Sequence, residues 1–402
     1  MADKKISIDA KLLKHMFING ASELAKHYAY IDELNVFPVP DGDTGTNMKI
    51  TLEGAAAVIK DIEYTDLFQL GKQFSRGLLM NARGNSGVIT SQIFKGLTGL
   101  FTEGQTEVDV PTFVDCFDNA RKVAYAAVSN PIEGTILTVI RVTAEKLMEK
   151  KAEFTSIDEV LEFAIKAAEE ILSKTPDMLP ELKEVGVVDS GGYGLCKILT
   201  GMNNALDIEM GKQVSTKSEI VQPKKTLVSS FKDDNEGFGY CNEFIMTLGS
   251  KVDLKQKDKI KFDLTSFKEA MAKLGDCLVV VVDDQLVKVH VHSTKPYEIL
   301  KFASQYGEFN KVKVENMTLQ FLERNPGTTL EELVNKKKGI NEWTNLSNEA
   351  KIIATVPTME MSNLYKGTFG IETTIETDKR GNPSVQDFID AFKKAKSNKI
   401  IL

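Results

Sequence analysis

Asp41 and Asp43 stand two apart in the run Asp41-Gly42-Asp43-Thr44-Gly45-Thr46-Asn47, directly after Phe37-Pro38-Val39-Pro40. Two carboxylates held this close repel each other unless a cation lies between them. Mg2+ favours one or two carboxylates together with phosphate oxygens and water. The prolines keep the approach out of a helix, and Gly42 and Gly45 permit tight turns. Taken alone, such a pair is more often a solvated turn that caps the helix starting near Thr46. An EF-hand does not fit, because its fifth and sixth loop positions hold Gly45 and Thr46, and no P-loop motif occurs anywhere in the chain.

Three further glycine clusters lie at joints between apolar-periodic segments: Asn81-Ala-Arg-Gly84-Asn85-Ser86-Gly87, Glu133-Gly134-Thr135 and Val188-Asp189-Ser190-Gly191-Gly192. A glycine-flanked helix start offers backbone N–H groups and a favourable dipole to phosphate. Each cluster alone reads equally well as punctuation. Together with an acidic metal loop they suggest a nucleotide crevice among helix ends.

A second constellation lies downstream. His290 and His292, two of only four histidines, sit i and i+2 on one expected strand, so they share a face. If the strand holding Cys241 is its neighbour, one thiolate and two imidazoles make a zinc set with one position open. Two half-buried histidines and a core cysteine read the same pattern without a metal. Cys116 and Cys196 fall within helical stripes and read as core, and Cys277 carries no assigned role.

The elements that must position these residues are legible as periodicity. Up to about Ile208 eight apolar stripes recur at helical spacing, from Leu13-Phe17-Leu24-Tyr28 to Leu195-Ile198-Met202-Ala205, with no strand among them. Ser156-Ile-Asp-Glu159 reads as a capping box, and Ser86 as a cap of its own helix. From Tyr240 to Met317 the order strand, helix, strand, strand, helix, strand is the ferredoxin-like arrangement, turning at Asp283-Asp284-Gln285. Polar stretches at 212–226 and 336–348 read as linkers. The rest gives strand 351–355, helix 361–366, strand 371–375, helix 384–396 and a strand ending on Leu402. A strand that ends on the last residue leaves its sheet without a downstream element, so this region is expected to be incomplete. The fold class is therefore multidomain α and α+β, with regions at 1–211, 227–335 and 349–402.

With 402 residues, 42% hydrophobic and 27% charged, the chain reads as an ordinary multidomain globular protein. A net charge of -7 and the lack of a long basic run disfavour nucleic acid or an anionic membrane as partner. Four scattered cysteines, no signal-peptide pattern and no long apolar run lead to a cytoplasmic expectation.

Four blocks carry a family resemblance: Asn35-Val-Phe-Pro-Val-Pro-Asp41-Gly-Asp43-Thr-Gly-Thr-Asn47-Met48, Ala82-Arg83-Gly84-Asn85-Ser86-Gly87-Val88-Ile89, Pro131-Ile-Glu-Gly134-Thr135-Ile136-Leu-Thr138-Val-Ile-Arg141 and Gly186-Val-Val-Asp189-Ser-Gly191-Gly192. They resemble the ATP-binding component of fatty acid kinase (its A-type subunit), whose N-terminal domain is akin to the L subunit of dihydroxyacetone kinase. The resemblance implies a barrel of eight antiparallel helices whose carboxylates hold Mg2+ against the phosphates of ATP. It makes Asp41 and Asp43 metal ligands and catalytic residues, and Asn35 a further candidate ligand where the dihydroxyacetone kinase relatives have an acid. Asn47, Gly84, Asn85, Ser86, Gly87, Gly134 and Thr135 fall on its nucleotide contacts, and Asp189 with Gly191 closes the crevice.

The implied enzyme is an ATP-dependent kinase acting on a carboxyl acceptor. It phosphorylates a fatty acid presented by a DegV-type fatty-acid-binding partner and yields acyl phosphate for phospholipid synthesis. A carboxylate needs no general base, in keeping with motifs that hold no catalytic His or Lys. The family shares a Cys and an His-Val-His in the middle domain, which implies zinc on Cys241, His290 and His292, and it dimerises through that domain. Its C-terminal domain docks the partner; Val356-Pro-Thr-Met-Glu-Met361 stands here where the family has a glycine-bearing turn. Competing readings are a subunit like the L component of dihydroxyacetone kinase, and a non-catalytic nucleotide- or metal-binding regulator.

Overall fold

Side-chain caps and apolar stripes fix the helices of the N-terminal region. In the computed structural model, which describes residues 4–212, 239–249, 262–324 and, with gaps, 347–401, these are α1 (Ala10–Glu33), α2 (Thr44–Ile59), α3 (Leu67–Asn81), α4 (Gly84–Thr98), α5 (Val110–Ala127), α6 (Ile136–Glu149), α7 (Ile157–Leu172), α8 (Pro180–Val185) and α9 (Ser190–Glu209). Asp9, Asp66, Asp109, Thr135 and Asp189 each accept a first-turn N–H of the helix that follows. Each long helix packs on the next, and α9 returns to α1, so α1 to α7 and α9 close a cycle of neighbours. Their stripes meet in one core, where Phe17 stacks on Phe74 at 4.3 Å and Phe94 stands edge-on to both at 5.4 Å.

The eight stripes read from the sequence are α1 to α7 and α9. The added α8 is a six-residue helix opened by Pro180 and closed by Gly186 in the left-handed conformation, too short to show a stripe. The expectation of no strand in this region is corrected. β1 (Ser7–Asp9) pairs antiparallel with β2 (Glu107–Asp109), and three residues are too few for an alternation to register. Two caps also differ. Glu159 accepts from Thr155, not from Ser156, and Ser86 lies inside α4, whose cap is Arg83.

The middle region runs β3 (Tyr240–Leu248), α10 (Leu264–Met271), β4 (Asp276–Asp283), β5 (Leu286–Ser293), α11 (Pro296–Ala303), β6 (Gly307–Asn316) and α12 (Met317–Arg324). The sheet is antiparallel throughout, in the order β4-β5-β3-β6. One face, with Phe244, Met246, Val280, Val287, Val289 and Val291, packs on Phe267 and Met271 of α10 and Ile299 and Ala303 of α11. The other face carries Val279 and Val281, which pack on Leu79, Ala82, Val88 and Ala127 of the helical region. Polar ties join the same surfaces. Lys95 donates to the Val282 carbonyl at 2.9 Å, and Lys268 donates at 2.7 Å to the Ala126 carbonyl near the end of α5.

The chain divides into two packed units, Met1–Phe231 with Glu236–Asn325, and Lys232–Asn235 with Pro326–Leu402. The regions read as 1–211 and the larger part of 227–335 thus belong to one unit. In the second unit β7 (Ser347–Val356) lies between β8 (Thr373–Glu376) and β9 (Ser397–Ile401), parallel to both, and α13 (Met359–Phe369) follows β7. Ile353, Ile375 and Ala391 form its small core. Of the linkers expected at 212–226 and 336–348, residues 213–226 and 336–346 lie outside the described residues, as does most of the helix expected at 384–396, while Ser347 and Asn348 belong to β7.

Candidate functional site

Four helix starts identified from glycine clusters meet at one end of the helical region. Gly84 at the start of α4 lies against Asn47 of α2, since a Cβ there would stand 2.5 Å from the Asn47 amide nitrogen. Gly194 in the first turns of α9 lies against Met48, whose Cε would be 2.7 Å from such a Cβ. Gly191 of α9 in turn faces Ile136 of α6 at 3.3 Å. The contact order α4–α2–α9–α6 therefore links the acidic loop with all three glycine clusters.

The starts differ in how their N–H groups are satisfied. Thr135 caps α6 and also donates to the Ile132 carbonyl, while Gly134 donates its N–H to the Thr138 hydroxyl at 2.7 Å. Asp189 is buried; its carboxylate accepts from Gly192 at 2.7 Å and from the Ile136 N–H, stapling α9 to α6. Burial outweighs those two donors and pushes its carboxyl up to about 7. The polar groups of Thr135, Gly134 and Asp189 are thus already engaged within the fold. By contrast, neither Asp43 of α2 nor Arg83 of α4 makes a side-chain cap bond. The first N–H groups of a helix have no partner inside it; those of Gly45 and Thr46 in α2 are taken by Asp32, so α4 is the start left without a side-chain cap.

Asp32, which the sequence reading missed, explains the state of α2. Its carboxylate accepts from the Thr46 N–H at 3.0 Å and the Thr46 hydroxyl at 2.6 Å. The last turn of α1 therefore does the capping that a bland reading of the loop gave to Asp43. Burial, with the Asp43 charge close by, raises the Asp32 carboxyl above its ordinary value despite those donors. No local pattern could have pointed to a cap fourteen residues upstream. Asn35, also buried, donates its side-chain N–H to Asp41 at 2.7 Å. In this geometry Asn35 orients the first carboxylate.

On the α4 side, Thr51 accepts from the Arg83 N–H and donates to the Asn47 carbonyl, tying the two helix starts together. A Cβ on Gly87 would overlap the Thr51 hydroxyl, so glycine is needed for this approach. Ser86 reaches the Thr44 carbonyl at 3.4 Å, and the Asn85 side-chain oxygen is buried with no protein partner. A buried acceptor in that state costs stability unless something else binds there. The Gly84 N–H differs from the expected phosphate contact, because Glu243 of β3 accepts it at 2.6 Å.

The second constellation lies on the sheet face turned to the helical region. Register pairs Cys241 with His292 and Glu243 with His290 across β3 and β5. Cys241, His290 and His292 offer ligand atoms within 4.8 Å of one another. The two Nε2 atoms are 3.0 Å apart, a spacing at which two imidazole lone pairs need a proton or a metal between them. Burial pushes His292 down to about 3, and the neighbouring His290 charge adds to this. Burial also disfavours charge on Glu243, but the hydrogen bond and charge of His290 and the charge of Lys288 outweigh it and hold that carboxyl down at about 2. A second set, Asp276, Cys277 and His292, shares the same histidine. Cys277 holds φ 49°, a left-handed value that is unusual for cysteine, at an irregularity of β4. Sequence reading gave it no role, and a bulge leaves no mark in the alternation.

Residues 38–204 match the DAK2 domain, and residues 237–324 match the middle domain of proteins like the fatty acid kinase A-type subunit. An uncharacterised protein of Staphylococcus saprophyticus is 36% identical over 406 residues, covering 98% of this chain and 70% of that protein. One of Mycoplasma pneumoniae is 38% identical over 394 residues, covering 95% and 67%. This chain belongs to the FakA-like family. A crystal structure of dihydroxyacetone kinase from C. freundii, in complex with AMP-PNP and Mg2+, covers 50% of this chain and 35% of its own at 16% identity and TM-score 0.39. In this family member the DAK2 match takes in Asp41, Asp43, Asn47, the 84–87 turn, Gly134, Thr135 and Asp189, while the middle-domain match takes in Cys241, His290 and His292. Among the described residues no helix is long and apolar enough to cross a membrane.

Proposed function

We propose that this chain is the ATP-binding subunit of a fatty acid kinase. It transfers the γ-phosphoryl group of ATP to a fatty acid carboxylate that a DegV-type partner presents, giving acyl phosphate for phospholipid synthesis. The observation that carries this reading is the uncapped start of α4, whose Ser86 reaches the Thr44 carbonyl beside Asp41 and Asp43. Open N–H groups attract phosphate, and adjacent carboxylates attract the cation that accompanies it.

Asp41 and Asp43 would hold Mg2+, with Asn35 fixing Asp41, and the ion would neutralise charge on the phosphate oxygens when bound. Asn47, Asn85, Ser86 and Gly87 line the phosphate end. Gly134, Thr135, Asp189 and Gly191 form the opposite wall. We read the closed cycle of helices as the helical barrel of the family, and the middle sheet as ferredoxin-like. A carboxylate acceptor is already ionised at neutral pH, so positioning and charge neutralisation supply the catalysis.

The donor set Cys241, His290 and His292 fits zinc in ligand type and proximity, with Cys277 as a fourth candidate. Placed where the sheet meets the helical region, such a metal would stabilise that joint. A homodimer formed through the middle region, a partner docked on the second unit and a cytoplasmic setting belong to the same reading.

The test is to incubate the protein with ATP, Mg2+, a fatty acid and its lipid-carrying partner, and to assay acyl phosphate. Product that disappears with Asp43→Asn supports the reading. No product from the wild type, or phosphorylation of dihydroxyacetone in its place, overturns it.

A further inference from the structure

The middle sheet sends two buried charged side chains into the helical region, and both end on the turn between α3 and α4. Glu243 of β3 accepts the Gly84 N–H at 2.6 Å through Oε1. Lys288 of β5 donates to the Leu79 carbonyl at 3.0 Å and to the Ala82 carbonyl. Glu243 is 6% exposed and Lys288 4%, so neither is a solvated surface charge that happens to lie nearby. Burying a carboxylate and an ammonium is costly unless their hydrogen bonds are well made. Hydrophobic packing of Val279 and Val281 on Leu79, Ala82 and Val88 would join the two regions without them. What the charged pair adds is direction. It engages the last carbonyls of α3 and the first N–H of α4, the atoms that set the angle at which the chain enters α4.

We propose that Glu243 and Lys288 are positioning residues of the nucleotide site, holding the 79–84 turn so that α4 presents the Asn85 and Ser86 N–H groups to phosphate beside Asp43. The proposal rests on the reading of the start of α4 as the phosphate seat. It assigns the middle region a part in nucleotide binding although none of its residues touches the nucleotide. It also accounts for Gly84. Its N–H belongs to Glu243 and its missing side chain makes room for Asn47, so it is a joint between regions and not a phosphate donor.

The experiment uses the full chain with Glu243→Met, which removes the acceptor and keeps the volume, Glu243→Gln, which keeps an acceptor, and Lys288→Met. Hydrogen exchange of the 82–90 segment is measured without nucleotide, and affinity for a non-hydrolysable ATP analogue with Mg2+ by calorimetry. Glu243→Met should speed exchange of that segment and weaken the analogue, each by about tenfold or more, as expected for a lost hydrogen bond to a charged acceptor. Lys288→Met should act in the same direction, and Glu243→Gln should recover most of both effects. A merely structural tie would lower overall stability in Glu243→Met and leave the affinity of the folded protein unchanged, and that result overturns the proposal. Unchanged exchange at 82–90 overturns it as well. A wild type that does not bind the analogue sinks the nucleotide reading, and this inference with it. Wild-type binding with an unaffected Glu243→Met sinks the positioning role alone.

Discussion

Replacing Asp32 with alanine tests whether α1 caps α2 and so leaves Asp43 for a metal. Asp32 accepts two hydrogen bonds from Thr46, at 3.0 Å from the backbone and 2.6 Å from the hydroxyl. Bonds to a charged acceptor contribute about 1.5–3 kcal/mol each. Asp32 is half-buried and its carboxyl is already raised by burial, so the low end of that range applies and the Thr46 hydroxyl can turn to water. A loss of about 2 kcal/mol follows, similar to the larger helix-cap deletions. Asp32→Asn keeps an oxygen for the Thr46 N–H and should lose less than about 1 kcal/mol. Denaturant midpoints at constant slope give the stability change. The second readout is affinity for a non-hydrolysable ATP analogue with Mg2+, which should fall in Asp32→Ala because Asp43 is drawn into capping the uncapped helix. If stability changes by less than about 0.5 kcal/mol and affinity is unchanged, the division of labour between Asp32 and Asp43 is wrong.

Gly45→Ala should destabilise by about 2 kcal/mol or more, because its Cβ would overlap the Tyr28 carbonyl oxygen and stand 2.9 Å from the Ile31 Cβ; Gly104→Ala, with φ +79° and open space, is the control and should lose only about 1 kcal/mol, both read from denaturant midpoints. Asp189 is raised in the folded state to about 7 from an ordinary value of 3.8, so the folded protein holds a proton that the unfolded chain releases. Its contribution is complete below pH 4 and is lost as pH rises to about 7, and Asp189→Asn should flatten the stability curve across that window. Cys241→Ala should lower zinc content measured on the purified protein, and equal zinc in mutant and wild type would return Cys241, His290 and His292 to ordinary buried side chains.

The long helices were legible because each buries one stripe against its neighbours, as with Leu13, Phe17 and Leu24 of α1. The strands of the middle region were legible for a different reason. Leu278 to Val282 is continuously apolar because both sides of β4 are covered, by α10 and α11 on one and by the helical region on the other. The sequence showed the run but not the second cover. That Cys241 comes close to His290 and His292 followed from strand order, while the register that pairs it with His292 did not. Asp32, Glu243 and Lys288 were out of reach, since each acts on backbone atoms far along the chain, and a lone charged residue in a helix or strand carries no sign of its target. Gly134, Thr135 and Asp189 were found by their glycine neighbours, yet their polar groups turn inward to hold helix starts.

The sheet covered on both sides also bears on how this chain can be taken apart. A fragment beginning at Tyr240 would carry Val279, Val281, Glu243, Lys288 and both histidines on a bare surface, inviting self-association. The helical part cut free would expose Val88 and Leu79 and strand the Leu79 and Ala82 carbonyls and the Gly84 amide. Transplanting either piece onto another protein therefore requires redesigning the surface that faces its former neighbour. Along this chain the two regions are successive, yet they pack as a single unit.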